Sequence, residues 1–208
     1  MSIIKAVCFD AGEVFLRELW PRSVWEAEAR DAAKIFDISL QRARKFFVSE
    51  IVADLDRGKI SELNFWKKFA NENKRKMPDE EILKTILRKR KIAQKKSLLK
   101  IMKRLLEAGV KVGILTDVIP PHKEIYLRDK VFAGLSPVVM SCDEGIKKKD
   151  GPEIFETWLR LAKAKPEETI FFDDVRKNVE IAKLLGIKAF IYKGPKQVVV
   201  ILRRCGLI

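Results

Sequence analysis

The chain is short of the residues that would make it a stapled or metal-knotted module. It has three cysteines, Cys8, Cys142 and Cys205. The number is odd and the spacings are long, so neither a disulfide framework nor a zinc site is suggested. Cys8 lies inside an apolar run and reads as an inert core thiol. No apolar run approaches the roughly 20 residues that cross a bilayer, so no membrane span is expected. No stretch is depleted in apolar residues, which argues against a mostly disordered chain. There is no internal repeat and no low-complexity linker. Glutamine is scarce, found only at 41, 94 and 197. The N-terminal segment MSIIKAVCFDAGEVF has the apolar character of a short signal peptide. It carries Asp10 and Glu13, however, and lacks a small-residue cleavage pattern. It reads as a buried strand, and the cytosol is the expected location.

What is abundant is charge: 43 Lys and Arg against 29 Asp and Glu, a formal +14. A basic surface can bind nucleic acid. The same Lys/Arg/Glu abundance with little Gln or Asn is also the composition of a heat-adapted protein. The second reading is favoured, and the positive field would also suit an anionic substrate. With 208 residues, 47% of them hydrophobic, the chain can bury one substantial core, or one core plus a small lobe.

Ile3 to Phe9 is a nearly continuous apolar run that breaks at Asp10-Ala11-Gly12, as a buried parallel strand does when it enters a loop. From Trp20 to Leu106 the pattern is helical and no strand is expected. Ser39 to Val52 has helical apolar spacing, Asp56-Arg57-Gly58-Lys59 breaks it, and Ser61 caps a further helix carrying Leu63, Phe65, Trp66 and Phe69. Met77-Pro78-Asp79 opens another. A helix with Leu98, Leu99, Met102, Leu105 and Leu106 on one face stops at Gly109. Strands then follow at Val110–Leu115, Pro137–Met140, Thr169–Phe172 and Ile187–Tyr192. Helices alternate with them at Pro152–Ala162, Asn178–Leu185 and Lys196–Arg204. This alternation predicts an α/β fold with a five-stranded parallel sheet and helices on both faces. Residues 1–17 and 97–208 form its core, and a small helical cap, 18–96, is inserted after the first strand.

In an open parallel sheet, ligands bind at the carboxyl ends of the strands. Here those ends deliver Asp10, Thr116-Asp117 and Asp173-Asp174, with Lys147, Lys148 and Lys149 in the loop after the third strand. Carboxylates gathered at one edge repel one another unless a cation sits among them, and an oxygen-rich site with open positions suits Mg²⁺. A lysine beside it suits a phosphate.

These segments resemble the four motifs of the haloacid dehalogenase (HAD) superfamily. VCFDAGEVF resembles the first and VGILTD the second. GIKKKDGPEIF is similar to the third, usually G-x-x-K-P-x-P-x-I-F, and TIFFDDVRKN to the fourth. Together they span essentially the whole Rossmann-like core. FFDD with Asn178, and DRGKISELNFW in the insertion, resemble the branch of sugar-phosphate phosphatases and the phosphatase domain of soluble epoxide hydrolase. The resemblance implies a Mg²⁺-dependent phosphomonoester hydrolase acting on a small phosphorylated metabolite, a sugar phosphate being the favoured class. Asp10 would be the nucleophile. Asp10, the Gly12 carbonyl and Asp174 would hold the metal, with Asp173 close by. Thr116, beside Asp117, would bind the phosphoryl oxygens, and Asn178 would orient the Asp pair. Lys149, favoured as the motif lysine by counting back from Ile154-Phe155, would hold both the phosphoryl group and the Asp10 carboxylate, while counting from Gly145 points instead to Lys148.

The sequence departs from the pattern at three points. Gly12 stands where many relatives place an acid/base Asp, although relatives with Gly there remain phosphatases. Asp150 stands where the motif proline is usual, and Asp117 where Asn is common. Gly12 keeps a non-catalytic binding module in view as a rival. A 2-haloacid dehalogenase is disfavoured by the intact acidic pair. Simpler readings stand beside these. The pair Asp173-Asp174 could cap the next helix, Asp174 while also binding metal, and His122, after Pro120-Pro121, reads as a surface loop residue. Trp20, Trp25, Phe65 and Trp66 read as lobe core. The basic stretch from Lys67 to Arg104, with Arg88-Lys89-Arg90-Lys91, reads as a solvated helix face in preference to a nucleic-acid surface.

Overall fold

The computed structural model describes residues 3–18, 25–88 and 92–208. Trp20 and the basic positions 89–91 lie outside these residues. The first strand, β1 (Ala6–Phe9), runs into a wide helical turn over Ala11–Phe15, followed by β2 (Leu16–Glu18). Five helices come next: α1 (Glu26–Ile35), α2 (Leu40–Phe47), α3 (Glu50–Asp56), α4 (Glu62–Glu72) and α5 (Glu80–Arg88). After β3 (Ile92–Gln94) the chain alternates through α6 (Lys96–Glu107), β4 (Lys111–Thr116), α7 (Pro120–Arg128), β5 (Val138–Met140), α8 (Ser141–Glu144) and α9 (Glu153–Ala162). It ends with β6 (Thr169–Asp173), α10 (Arg176–Leu184), β7 (Lys188–Ile191) and α11 (Pro195–Arg204). No helix among the described residues is long and apolar enough to cross a membrane.

The main sheet has the order β5-β4-β1-β6-β7, with every pair parallel. Side chains alternate across it as a pleat requires. Val7, Phe9, Val112, Ile114, Ile170 and Phe172 face a cluster completed by Leu98, Ile101, Met102 and Leu105 of α6 and Val198 and Leu202 of α11. Ala6, Cys8, Leu115 and Phe171 face the other side, against Ile154, Phe155 and Trp158 of α9 and Val179 and Ala182 of α10. Both faces are covered, which is why the strands read as continuous apolar runs. Phe9, Phe172 and Phe190 stack across three neighbouring strands, with centroids 5.3 and 5.9 Å apart.

Helices α1 to α5 enclose their own apolar cluster, joined by Ile119 from the loop before α7. It is built on rings: Phe46 meets Phe69 edge to face at 4.7 Å, and Phe65 meets Trp66 at 5.0 Å. Ser61 caps α4, its hydroxyl accepting from the Asn64 amide at 3.2 Å.

Three expectations are corrected. The helical pattern from Ser39 to Val52 is two helices, because the chain breaks at Val48-Ser49, where the Ser49 hydroxyl donates to the Phe46 carbonyl at 2.6 Å. A strand does occur between residues 20 and 106. β3 pairs antiparallel with β2, and three residues are too few to show a period. His122 is a buried residue of α7 instead of a surface loop residue. Its ring stacks on Trp25 at 5.6 Å, and its Nε2 lies 3.9 Å from Glu28 Oε1 on α1. The two prolines that suggested a loop occupy the first turn of the helix, where a missing N–H costs nothing.

Candidate active site

The sheet order reverses at β1, and the chemistry-bearing side chains gather beside its carboxyl end. The β1–β6 register runs to Phe9 opposite Phe172, so the next pair along is Asp10 and Asp173. The Asp10 amide donates to the Phe172 carbonyl at 2.9 Å, which holds the residue in line as the chain leaves the strand. On the other flank, β4 ends at the buried Thr116. Lys148 enters from the loop after α8. It is 2% exposed, and its Nζ bridges Asp10 Oδ1 and Asp173 Oδ2, the latter at 2.6 Å.

Each member of this bridge is held from behind. The Lys148 amide donates to Asp117 Oδ1 at 3.0 Å. Asn178 Nδ2, one turn into α10, donates to Asp173 Oδ2 at 3.0 Å. Asp173 Oδ1 accepts from the amide of Val175, the residue before α10, at 2.7 Å, a bond that turns the chain into the helix without capping its first-turn amides. Asp174 itself is exposed.

The charges do not balance. Burial pushes the Asp10 carboxyl up to about 7, Asp173 and Asp174 push the same way, and Lys148 only partly offsets them. For Lys148, burial works to lower the ammonium's pKa, but Asp10, Asp173 and Asp117 outweigh it and hold the pKa well above the ordinary lysine value. One buried cation thus serves several carboxylates, an arrangement that favours a second cation. Among the described residues no three His, Cys, Asp or Glu side chains form a ready-made metal cage. Mg²⁺ needs none, because one or two carboxylates, water and substrate phosphate suffice. The oxygen donors of Asp10, Asp174 and the Gly12 carbonyl fit that requirement. Burial also pushes the Cys8 thiol up, in keeping with an inert core residue.

Lys149 is corrected: it is exposed, and Lys148 reaches Asp10 and Asp173. Gly145, left-handed at φ 72°, ends α8 and starts the count that selects Lys148. Between Lys148 and Ile154 the loop is one residue longer than the motif allows, so counting back from Ile154-Phe155 lands one position late. The residue in the motif proline's place is then Lys149, not Asp150. A Cβ built on Gly12 would lie 3.0 Å from Asp10 Oδ2, so a side chain there would press on the carboxylate. Glu13 is exposed, and its carbonyl accepts from the Lys95 ammonium.

The contacts of three residues had no clear signal in the sequence. Ser141 accepts from the Val118 amide at 2.9 Å and donates to the Asp56 carbonyl at 2.6 Å, joining the loop after β4 to the inserted helices. Asp56 and Arg57 open the DRGKISELNFW segment noted as a helix break and as a family-like stretch of the insertion, but nothing in it pointed to a contact with the site loop.

Comparison with known proteins bears on the family and the fold. The model of a family described as haloacid dehalogenase-like hydrolase matches residues 4–186. A curated relative, acyl-CoA dehydrogenase family member 10 of Mus musculus, is 42% identical over 62 residues. That stretch is 30% of this chain and only 6% of the relative. Among solved structures, a HAD family enzyme of Bacteroides thetaiotaomicron in a magnesium complex superposes with a TM-score of 0.73 at 21% identity, covering 92% of this chain and 94% of that one. A HAD-like family hydrolase of Porphyromonas gingivalis gives 0.74 at 20% identity, covering 98% and 99%. A HAD phosphatase of Thermococcus onnurineus gives 0.59 at 22% identity, covering 89% and 85%. At these identities the structural likeness establishes the shared fold.

Proposed function

The chain belongs to the haloacid dehalogenase-like hydrolase family, and from that premise we propose that it is a Mg²⁺-dependent phosphomonoester hydrolase of a small phosphorylated metabolite, with sugar phosphates the favoured class. In this reading residues 18–96 are a cap over a core of 1–17 and 97–208. The observation that carries the proposal is the buried Lys148 ammonium shared by Asp10 and Asp173. A carboxylate held in that way can meet a phosphate dianion without prohibitive repulsion, and the surplus of carboxylate around it leaves room for a divalent cation.

Asp10 attacks phosphorus, the bond to the leaving oxygen breaks, and an aspartyl-phosphate forms. Water then attacks the phosphorus, returning inorganic phosphate and the Asp10 carboxylate. Lys148 spans the carboxylate and the phosphoryl group, and the Thr116 hydroxyl donates to a phosphoryl oxygen. Asp117 already accepts from the Lys148 amide, so its part is to fix that loop, with its other oxygen left for substrate. Asn178 keeps Asp173 oriented. Mg²⁺, when held by Asp10, the Gly12 carbonyl and Asp174 beside Asp173, supplies positive charge that offsets the repulsion between phosphate and carboxylate. With Gly12 in place of an acid, the leaving oxygen takes its proton from water. General acid/base catalysis is worth about 10²–10⁴-fold, so slow turnover is expected.

The test is a panel of phosphomonoesters assayed for phosphate release at elevated temperature, beside 2-chloropropionate assayed for chloride release. Phosphate without chloride is the expected result. Chloride release would make the protein a dehalogenase. Silence across the panel, with Mg²⁺ and phosphate still bound, would make it a binding module.

A further inference from the structure

Three consecutive residues at the end of α3 grip the loop that carries Lys148. The Asp56 carbonyl accepts from the Ser141 hydroxyl at 2.6 Å, and its partly buried carboxylate is paired with the Lys147 ammonium. Arg57 forks onto Asp150, Nε to Oδ2 at 2.7 Å and Nη2 to Oδ1 at 2.8 Å. Gly58, at φ +65°, packs so closely that a Cβ there would collide with the Cys142 carbonyl oxygen. The grip therefore lands on both sides of Lys148, at Lys147 and Asp150, and on the α8 turn before it.

The fork is well built. The Arg57 side chain is 11% exposed, and its Nη1 is also held by Glu50 at 2.9 Å and Asp54 at 3.5 Å on its own helix, so it is fixed before it reaches Asp150. Planar two-point pairing of guanidinium and carboxylate sets direction as well as distance. Asp150 in turn accepts from the Lys147 amide at 3.0 Å, closing the loop on itself. Fork and backbone bond both hold the Asp150 carboxyl down at about 2, so it is ionised throughout the neutral range.

We infer that Arg57 and Asp56 are positioning residues: through Asp150 and Lys147 they fix the loop from which Lys148 reaches Asp10 and Asp173. The inserted helices thereby set the geometry of the site as well as covering it. The inference rests on the role given to Lys148 above. A lysine displaced by about an ångström can cost on the order of a hundredfold in rate, while gross folding is left to the three apolar clusters.

The test compares wild type, Arg57→Ala, Arg57→Lys, Asp150→Asn and the double variant Arg57→Ala/Asp150→Asn. One readout is the ¹⁵N signal of the Lys148 ammonium in metal-free protein, assigned by its loss in Lys148→Met. The other is kcat and KM on a phosphomonoester. A buried ammonium between two carboxylates exchanges its protons slowly. The expected result is faster exchange or loss of the signal in Arg57→Ala and in Asp150→Asn, no further change in the double variant, and partial recovery in Arg57→Lys. kcat should fall roughly ten- to a hundredfold and KM much less. Asp150→Asn, which keeps the shape of the carboxylate, covers the case in which Arg57→Ala fails to fold. An unchanged ammonium signal in folded variants, additive effects in the double variant, or an unchanged kcat would overturn the inference. If wild type hydrolyses no phosphomonoester, the proposed function fails, and the ammonium signal still decides whether the grip positions Lys148.

Discussion

Replacing Lys148 with methionine is expected to lower phosphomonoester turnover by about 10²–10³-fold, the usual cost of removing one charge-stabilising donor, while Lys149→Met stays near wild type. The two lysines are neighbours in sequence with similar chemistry, so only placement separates them. Lys148 is buried with its ammonium shared by Asp10 and Asp173, and Lys149 is exposed. Methionine keeps the length and apolar stem of lysine, so the packing of the stem survives and the change is one of charge. Without the ammonium, Asp10 and Asp173 face each other with no buried cation between them, and a phosphate approaching Asp10 meets the full repulsion of both. The measurement is kcat/KM for the two variants side by side. Equal losses in both, or a larger loss in Lys149→Met, would remove Lys148 from the site.

Phe9→Ala is expected to destabilise the sheet by about 3–5 kcal/mol, the range for truncating a buried aromatic. Phe9 is fully buried on the central strand, stacked on Phe172, which stacks on Phe190, and it directly precedes Asp10. No small movement of neighbours can fill the space, because β4 and β6 flank β1 on both sides. For a chain of this size the loss corresponds to a fall in Tm on the order of 10 °C. The helices α1–α5 have an apolar cluster of their own, so the change is best read in urea unfolding followed by a probe in the sheet, with attention to whether one or two transitions occur. A loss below about 1 kcal/mol, within the ordinary range for point substitutions, would mean that the stack is not a packed core.

The parallel sheet was legible because strands covered on both faces are apolar almost throughout, and each of the runs at Ile3–Phe9, Val110–Leu115 and Thr169–Phe172 overlaps a strand of the sheet. The acids and hydroxyl at their ends were legible for the same reason: a polar residue closing an apolar run stands out. The short pair β2–β3 was not, since three residues carry no measurable period. Lys148 was misjudged in favour of Lys149 because spacing was counted from the far side of a loop that holds an extra residue. His122 was misplaced because two prolines look alike in a loop and in the first turn of a helix. The grip of Asp56 and Arg57 on Lys147 and Asp150 joins residues about ninety positions apart. Contacts of that range are made where α3 meets the α8 turn and the loop after it, and they leave no local pattern.

The most direct test of the account is turnover of p-nitrophenyl phosphate by wild type and Asp10→Asn, each with Mg²⁺ and with EDTA, at a temperature where both are folded. Asparagine keeps the shape of aspartate but is a far weaker nucleophile. Turnover is expected in wild type with Mg²⁺, with loss of it in EDTA and none in Asp10→Asn under either condition. Turnover retained by Asp10→Asn at the wild-type rate would contradict the assignment of Asp10 as the nucleophile and, with it, the mechanism built on the Lys148 bridge.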